Sequence, residues 1–181
     1  MILAVLLAGA LELKGVSGET LHPLAPAGTA NVLVFTATDC PVSNGYAPEI
    51  QRVCAGYAAR GVHCMLVYED PGVTADAVRA HLTAFRYAGV AAGIDADGAV
   101  AARVGATVTP EVAVVDRGGA VRYRGRIDNQ FVALGRPRRT VTVHDLTAAL
   151  DALLDGHPIA APVTQPIGCS IVPADMRRKI R

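Results

Sequence analysis

Cys40 is the residue whose type and setting invite chemistry. It closes Thr36-Ala37-Thr38-Asp39-Cys40-Pro41, which follows the apolar run Asn31-Val32-Leu33-Val34-Phe35 and precedes a helical pattern. A thiol at a helix N-terminus lies among unpaired backbone N–H groups at the positive end of the helix dipole. Such a setting brings a thiol pKa from ~8.5 into the ~3.5–7.5 range. Pro41 in the first turn costs no hydrogen bond and presets the backbone there. Asp39 acts against the thiolate through its charge, or else serves as a helix cap. Three residues on, where a Cys-x-x-Cys redox pair has its second sulfur, the chain carries Ser43. Cys40 is therefore a nucleophile without a local partner or an inert small hydrophobe. Its place between strand and helix favours the nucleophile.

The elements that must position Cys40 follow from periodicity. Asn31 to Thr36 is a continuous apolar, β-branched run, the pattern of a strand covered on both faces. Val42 to Arg60 keeps helical spacing through Tyr46, Ile50, Val53, Cys54 and Tyr57 and stops at Gly61. Pro48 inside that pattern predicts a kink or an irregular first turn. Val62 to Tyr68 is the next strand, and Val73 to Tyr87 an amphipathic helix capped by Thr74. A short strand at Ala91 to Ile94 and a small helix from Gly98 to Val104 come next. Glu111 to Val115 and Ala120 to Arg124 form a hairpin across Asp116-Arg117-Gly118-Gly119. Val143 to Leu154 is the last helix, and Leu11 to Leu24 a small strand pair at the start. Pro158, Pro162, Pro166 and Pro173 deny helix beyond Gly156 and predict an extended surface arm. The right-handed crossover rule makes the first two long strands parallel neighbours. The sum is an α/β fold, a central mixed β-sheet flanked by helices on both faces, over residues 11–156, with an extended C-terminal arm over 157–181.

Composition narrows the function. Apolar residues at 51% with 18% charged exclude disorder, and a net charge of +1 gives no case for nucleic acid. The first ten residues, Met-Ile-Leu-Ala-Val-Leu-Leu-Ala-Gly-Ala, look like the apolar part of a secretion signal, with Ala8-Gly9-Ala10 as a small-x-small cleavage site. That run is about half of the ~20 residues that span a bilayer, so no integral membrane span is expected. Export to the periplasm or outside is the reading; a buried first strand in a cytoplasmic protein is the alternative. The basic end Arg177-Arg178-Lys179-Ile180-Arg181 reads as a solvated tail. His22, His63, His81, His144 and His157 are scattered without metal-ligand spacing, so neither a structural zinc site nor another cofactor is expected. Arg122, Arg124 and Arg126 alternate as a solvated face, one of them able to steady a thiolate, and Arg136 to Arg139 read as an exposed loop.

The segment Val32 to Pro41, with Cys40 at the nucleophile position, Thr109-Pro110 facing it and a Val-Asp-x-x-Gly hairpin after it, resembles the thioredoxin superfamily. More narrowly, Asp39-Cys40-Pro41-x-x-Asn44, Arg124-Gly125-Arg126-Ile127-Asp128 and Pro166-x-Gly168-Cys169 are similar to redoxin-like proteins of the peroxiredoxin and thioredoxin group. The resemblance implies a thioredoxin-like fold, a cis bond before Pro110 and a redox-active Cys40, with Thr38, Pro41 and Thr109 as substrate contacts. Its partners would be protein thiols or disulfides, or a redox donor protein. An extended substrate could pair with the Thr109 backbone as an added strand. Peroxide reduction would imply antioxidant activity, but Ala37 stands where a peroxidatic threonine is expected, which favours disulfide exchange.

Three cysteines remain as partners for Cys40. Cys54 on the inner helix stripe and Cys64 on the next strand are near neighbours, as a structural disulfide or as two packed core thiols, with packing preferred. Cys169 lies on the proline-rich arm beside Gly168, which permits close backbone approach. The arm can bring Cys169 to Cys40 as the resolving sulfur, since the Ser43 hydroxyl cannot resolve a mixed disulfide. A free tail thiol or a pair with another chain are the alternatives. Two soft thiolates with a histidine would also suit Cu(I), which makes a copper carrier the second function class.

Overall fold

The structure, a computed structural model, describes residues 11–180. The apolar run read as an export signal lies outside the described residues. A first hairpin pairs β1 (Leu13–Lys14) with β2 (Thr20–Leu21). Then follow β3 (Ala30–Thr36), α1 (Pro41–Gly45), α2 (Ala47–Ala58), β4 (Val62–Tyr68), α3 (Ala75–Ala84), β5 (Ala91–Ile94) and α4 (Ala99–Val104). The second half holds β6 (Val108–Thr109), β7 (Glu111–Asp116), β8 (Val121–Gly125), β9 (Phe131–Ala133), β10 (Arg136–Pro137) and α5 (Asp145–Leu154). The arm carries β11 (Cys169–Ser170) and α6 (Ala174–Ile180).

Five strands form the central sheet in the order β5-β4-β3-β7-β8. β3 runs parallel to β4 and β4 to β5, while β7 is antiparallel to both β3 and β8, so the sheet is mixed. Every residue of β3 is buried, as a strand at the centre of a sheet covered on both faces must be. Alternation divides its side chains. Val32 and Val34 enter one core with Ile50 and Val53 of α2, Val78 of α3, and Leu146 and Leu150 of α5. Leu33 and Phe35 enter the other core, closed by Val100, Ala101 and Val104 of α4 and by Leu13 of β1.

The break expected at Pro48 falls between α1 and α2, where Tyr46 ends one helix and caps the next. Thr74 caps α3, its side chain accepting from the Ala77 N–H. Two expectations about the arm need correction. α6 follows Pro173, whose carbonyl accepts from the Met176 and Arg177 N–H groups, so the proline begins a helix where it was read as denying one. Arg177 is buried against Glu69, so the start of the basic end is part of the core and not a solvated tail. No helix among the described residues is long and apolar enough to cross a membrane.

Candidate active site

Cys40 sits where β3 hands the chain to α1 and is itself the N-cap, its carbonyl accepting from the Asn44 N–H at 3.0 Å. No side chain caps this helix, so Asp39, exposed, takes no capping role. The loop into Cys40 is held from outside. The Thr38 N–H donates to the Asp70 carboxylate at 3.0 Å, and the Thr38 carbonyl accepts from Asn44 Nδ2 at 3.2 Å. Asn44 Oδ1 lies 2.8 Å from His81 Nε2, whose Nδ1 lies 2.9 Å from the Tyr68 hydroxyl. Burial pushes the His81 pKa down, which favours a neutral ring that donates to Asn44 and accepts from Tyr68. One polar chain thus ties the Cys40 turn to α3 and β4.

Across from Cys40 lies the Thr109–Pro110 bond, which is cis. The Thr109 carbonyl is 3.1 Å from Cys40 Sγ. The next strand over is not a foreign peptide but the chain's own arm. β11 pairs antiparallel with β6, Cys169 opposite Thr109 and Ser170 opposite Val108. This register brings Cys169 Sγ to 2.7 Å from Cys40 Sγ, both cysteines being free thiols. The site therefore unites Cys40, Thr109, Pro110 and Cys169, with Thr38 half-buried in the preceding loop and Pro41 exposed at the helix start.

The two thiols are electrostatically unlike. Burial pushes the Cys40 thiol up, but hydrogen bonds from Cys169, from the Ser43 hydroxyl and N–H, and from Thr109 outweigh it, and the net shift is downward. The Ser43 hydroxyl is buried beside this turn and, among the described hydrogen bonds, has no partner. Cys169 is pushed up to about 12, first by burial and then by the neighbouring Cys40 and Asp39. The opposite shifts make Cys40 the more readily ionised of the two sulfurs and Cys169 the one that keeps its proton.

The arm is secured on both sides of Cys169. Upstream, the Arg124 N–H donates to the Pro162 carbonyl at 2.9 Å and the Thr164 N–H to the Arg124 carbonyl at 3.0 Å. The Thr164 hydroxyl meets the Arg126 N–H at 3.1 Å and the Tyr123 hydroxyl at 2.7 Å. Gly168 touches the Thr109 backbone so closely that a Cβ there would fall 2.0 Å from the carbonyl oxygen. Downstream, the Ile171 N–H donates to the Thr107 carbonyl at 2.9 Å. Arg177, 2% exposed, donates to the carbonyls of Val172 and Asp95 and to Glu69 Oε2.

No family model matches the chain, and no curated protein does. Solved structures do match. A hypothetical protein from Sinorhizobium meliloti 1021 superposes with a TM-score of 0.75 at 26% identity, over 89% of this chain and 89% of that one. DsbF of Mycobacterium tuberculosis gives 0.58 at 24% identity, over 80% of this chain and 95% of its own. A secreted disulfide oxidoreductase of that organism, homologous to DsbE of E. coli, gives 0.55 at 18%, over 81% and 96%. The fold is thioredoxin-like.

Other features of this thioredoxin-like chain depart from the sequence reading. Cys54 and Cys64 form a disulfide with a Cα separation of 5.7 Å, where packing without a bond was preferred. Helix and strand bring their Cα atoms within bridging range, a distance that periodicity does not supply. Arg124 and Arg126 are not a solvated face. Arg124 pairs with fully buried Glu111 at 2.8 Å and Arg126 with Asp145 at 2.6 Å, and among the described hydrogen bonds and ion pairs neither reaches Cys40. Glu111 also accepts from the Thr107 N–H at 2.8 Å, which fixes the turn before Thr109. Sequence reasoning missed Asn44, His81 and Glu111 as supports of the site. A carboxylate opening the otherwise apolar Glu111-Val112-Ala113-Val114-Val115 was the available signal for one of them. The one group of three metal-capable donors among the described residues is Glu49, Asp128 and His144, which does not include the two thiols.

Proposed function

We propose that this chain is a thiol–disulfide oxidoreductase whose redox couple is Cys40 and Cys169. The observation that carries the reading is the 2.7 Å contact between the two sulfurs, made by a strand register that seats Cys169 opposite Thr109. Oxidation of the pair forms the Cys40–Cys169 bond and passes two electrons to a substrate disulfide, which becomes two thiols. The reverse oxidises a substrate dithiol. The lowered Cys40 pKa stabilises the reduced pair and makes the couple more oxidising than two ordinary thiols. Asn44, His81 and Asp70 hold the Cys40 turn in place, and Glu111 with Arg124 holds the turn carrying Thr109. The Cys54–Cys64 disulfide supports work in an oxidising, exported setting. Disulfide exchange is preferred to peroxide reduction because Ala37 offers no hydroxyl to an attacked peroxide oxygen.

Peptide mapping of air-oxidised protein tests the couple directly. A 40–169 crosslink beside the 54–64 one is expected, together with catalysis of disulfide exchange in a reduced or scrambled model protein that Cys40→Ser abolishes. A fast stoichiometric reaction of reduced Cys40 with peroxide would move the protein to the peroxidases. Stoichiometric Cu(I) retained through anaerobic purification, with both thiols protected from alkylation, would make it a metal carrier.

A further inference from the structure

We propose that a partner enters this couple through Cys169, and that Cys40 is the internal sulfur that closes or opens the bond behind it. The inference rests on the exchange reading above and assigns the order of the two sulfurs within it. Cys40 is 1% exposed, with its Sγ between the Thr109 carbonyl and Cys169. The backbone edge beside Thr109, on which an extended substrate could add as a strand, is already occupied by β11. Cys169 is half-buried on the outer of these two strands, and the residue after it, Ser170, is exposed. Because the arm is tied at Thr164 and at Arg177, Cys40 is not uncovered by a loose tail drifting away. A thiolate arriving from solvent therefore finds one sulfur of a Cys40–Cys169 disulfide, and it is the one on the arm. Placement at a strand end and helix start suggests the opposite order.

The chemistry balances along this route. The thiolate of a partner dithiol attacks Cys169 Sγ, the Cys40–Cys169 bond breaks, and Cys40 leaves as a thiolate at the start of α1. The lower-pKa sulfur is the better leaving group, so the bond breaks in the favourable sense. The partner's second thiol then gives up its proton and attacks the partner sulfur held on Cys169. Cys169 leaves and takes that proton. The partner has lost two electrons and become a disulfide, and the couple has gained two. Run backwards, Cys169 attacks a substrate disulfide and Cys40 resolves the mixed disulfide. The partner class is a dithiol or disulfide whose sulfur can reach the surface beside Ser170. It need not thread a polypeptide strand past Thr109.

Oxidised glutathione serves as the probe. Reduced Cys40→Ser and Cys169→Ser proteins, each with one free reactive thiol, are mixed with it, and the mixed disulfide is followed by mass. Cys169 in the first variant should form it faster than Cys40 in the second, by an order of magnitude or more. Adding Arg177→Ala to Cys169→Ser should undock the arm and accelerate Cys40. Intrinsic thiolate character favours Cys40, so exposure has to reverse the chemical order. Oxidised wild-type protein treated with glutathione and quenched in acid gives a second measurement, with the adduct mapping to Cys169. An adduct on Cys40, or a Cys40 rate equal to or above that of Cys169 in the folded variants, overturns the order but leaves the exchange reading intact. Failure of both sulfurs to exchange overturns that reading and this inference with it.

Discussion

Ser43 stands where a second sulfur would complete a local dithiol, and its hydroxyl is buried beside the first. If it donates to the Cys40 thiolate, Ser43→Ala removes one of the groups that hold the pKa down. The thiolate midpoint, followed by ultraviolet absorbance against pH, should then rise towards the ordinary thiol value. Cys169→Ala should raise it too, because the S–H facing Cys40 is lost with no donor in its place. A lower thiolate fraction at neutral pH stabilises the reduced pair less, so Ser43→Ala should also make the couple more reducing. An unchanged midpoint in Ser43→Ala would show that the hydroxyl does not serve the sulfur. Cys40 and Cys169 could be singled out from residue type and position between elements, and Thr109 and Pro110 from the resemblance to the thioredoxin superfamily. The Asn44–His81–Tyr68 chain could not. Asn44 and His81 are 37 residues apart, and their meeting depends on how α3 packs, which no local pattern encodes.

The arm shows how element-level reading works and where it fails. Its prolines correctly denied helix from Pro158 to Pro166, but composition could not reveal that Pro173 would start one. Nor could it reveal that Arg177 would find a buried carboxylate. Two substitutions separate the arm's seats. Gly168→Ala pushes a Cβ into the Thr109 backbone, so β11 cannot hold its register, and air oxidation should no longer give the 40–169 crosslink. Arg177→Ala removes the guanidinium that holds Glu69 Oε2 and the Val172 and Asp95 carbonyls together, so the arm loses its downstream seat. Hydrogen exchange should show it as faster opening of β11 and α6, with the central sheet little affected. The same anchor is sensitive to pH. Glu69 is pushed up from 4.5 to about 8, first by burial and then by Asp95. Glu69 Oε1 is buried without a partner, a setting that disfavours the bare carboxylate. A folded-state pKa above the unfolded one means that the stabilisation is complete below about pH 4.5 and is lost as pH rises through about 8. Denaturant melts should therefore show wild-type stability falling over that window relative to Glu69→Gln, whose curve should be flatter.

At the scale of the whole molecule, the four cysteines fall into two pairs, one bonded and one in contact as thiols, to which the proposed function gives opposite duties. The fold was legible because β3 and β4 are long, apolar and joined by one helix, which constrains handedness and order. The cysteine connectivity was not, since pairing is a matter of distance in space. Cys54–Cys64 ties α2 to β4 across a sequence separation of 10, a small loop whose closure contributes about 2–3 kcal/mol on the chain-entropy model. Opening it gives up that stability, which holds the bond shut against a reductant. Opening Cys40–Cys169 releases a favoured thiolate, and the arm's other ties remain, so the reduced form stays folded. The two bonds should then yield at different potentials. In a series of glutathione buffers of decreasing potential, alkylation and mass mapping should find Cys40 and Cys169 reduced first, with Cys54 and Cys64 still joined. Replacing Cys54 and Cys64 together by Ala should lower the unfolding free energy by the stated amount and leave the Cys40–Cys169 potential where it was. Simultaneous opening of the two bonds, or a potential that moves with the Cys54 and Cys64 replacement, would mean that the pairs are coupled through α2 and that the division of duties is wrong.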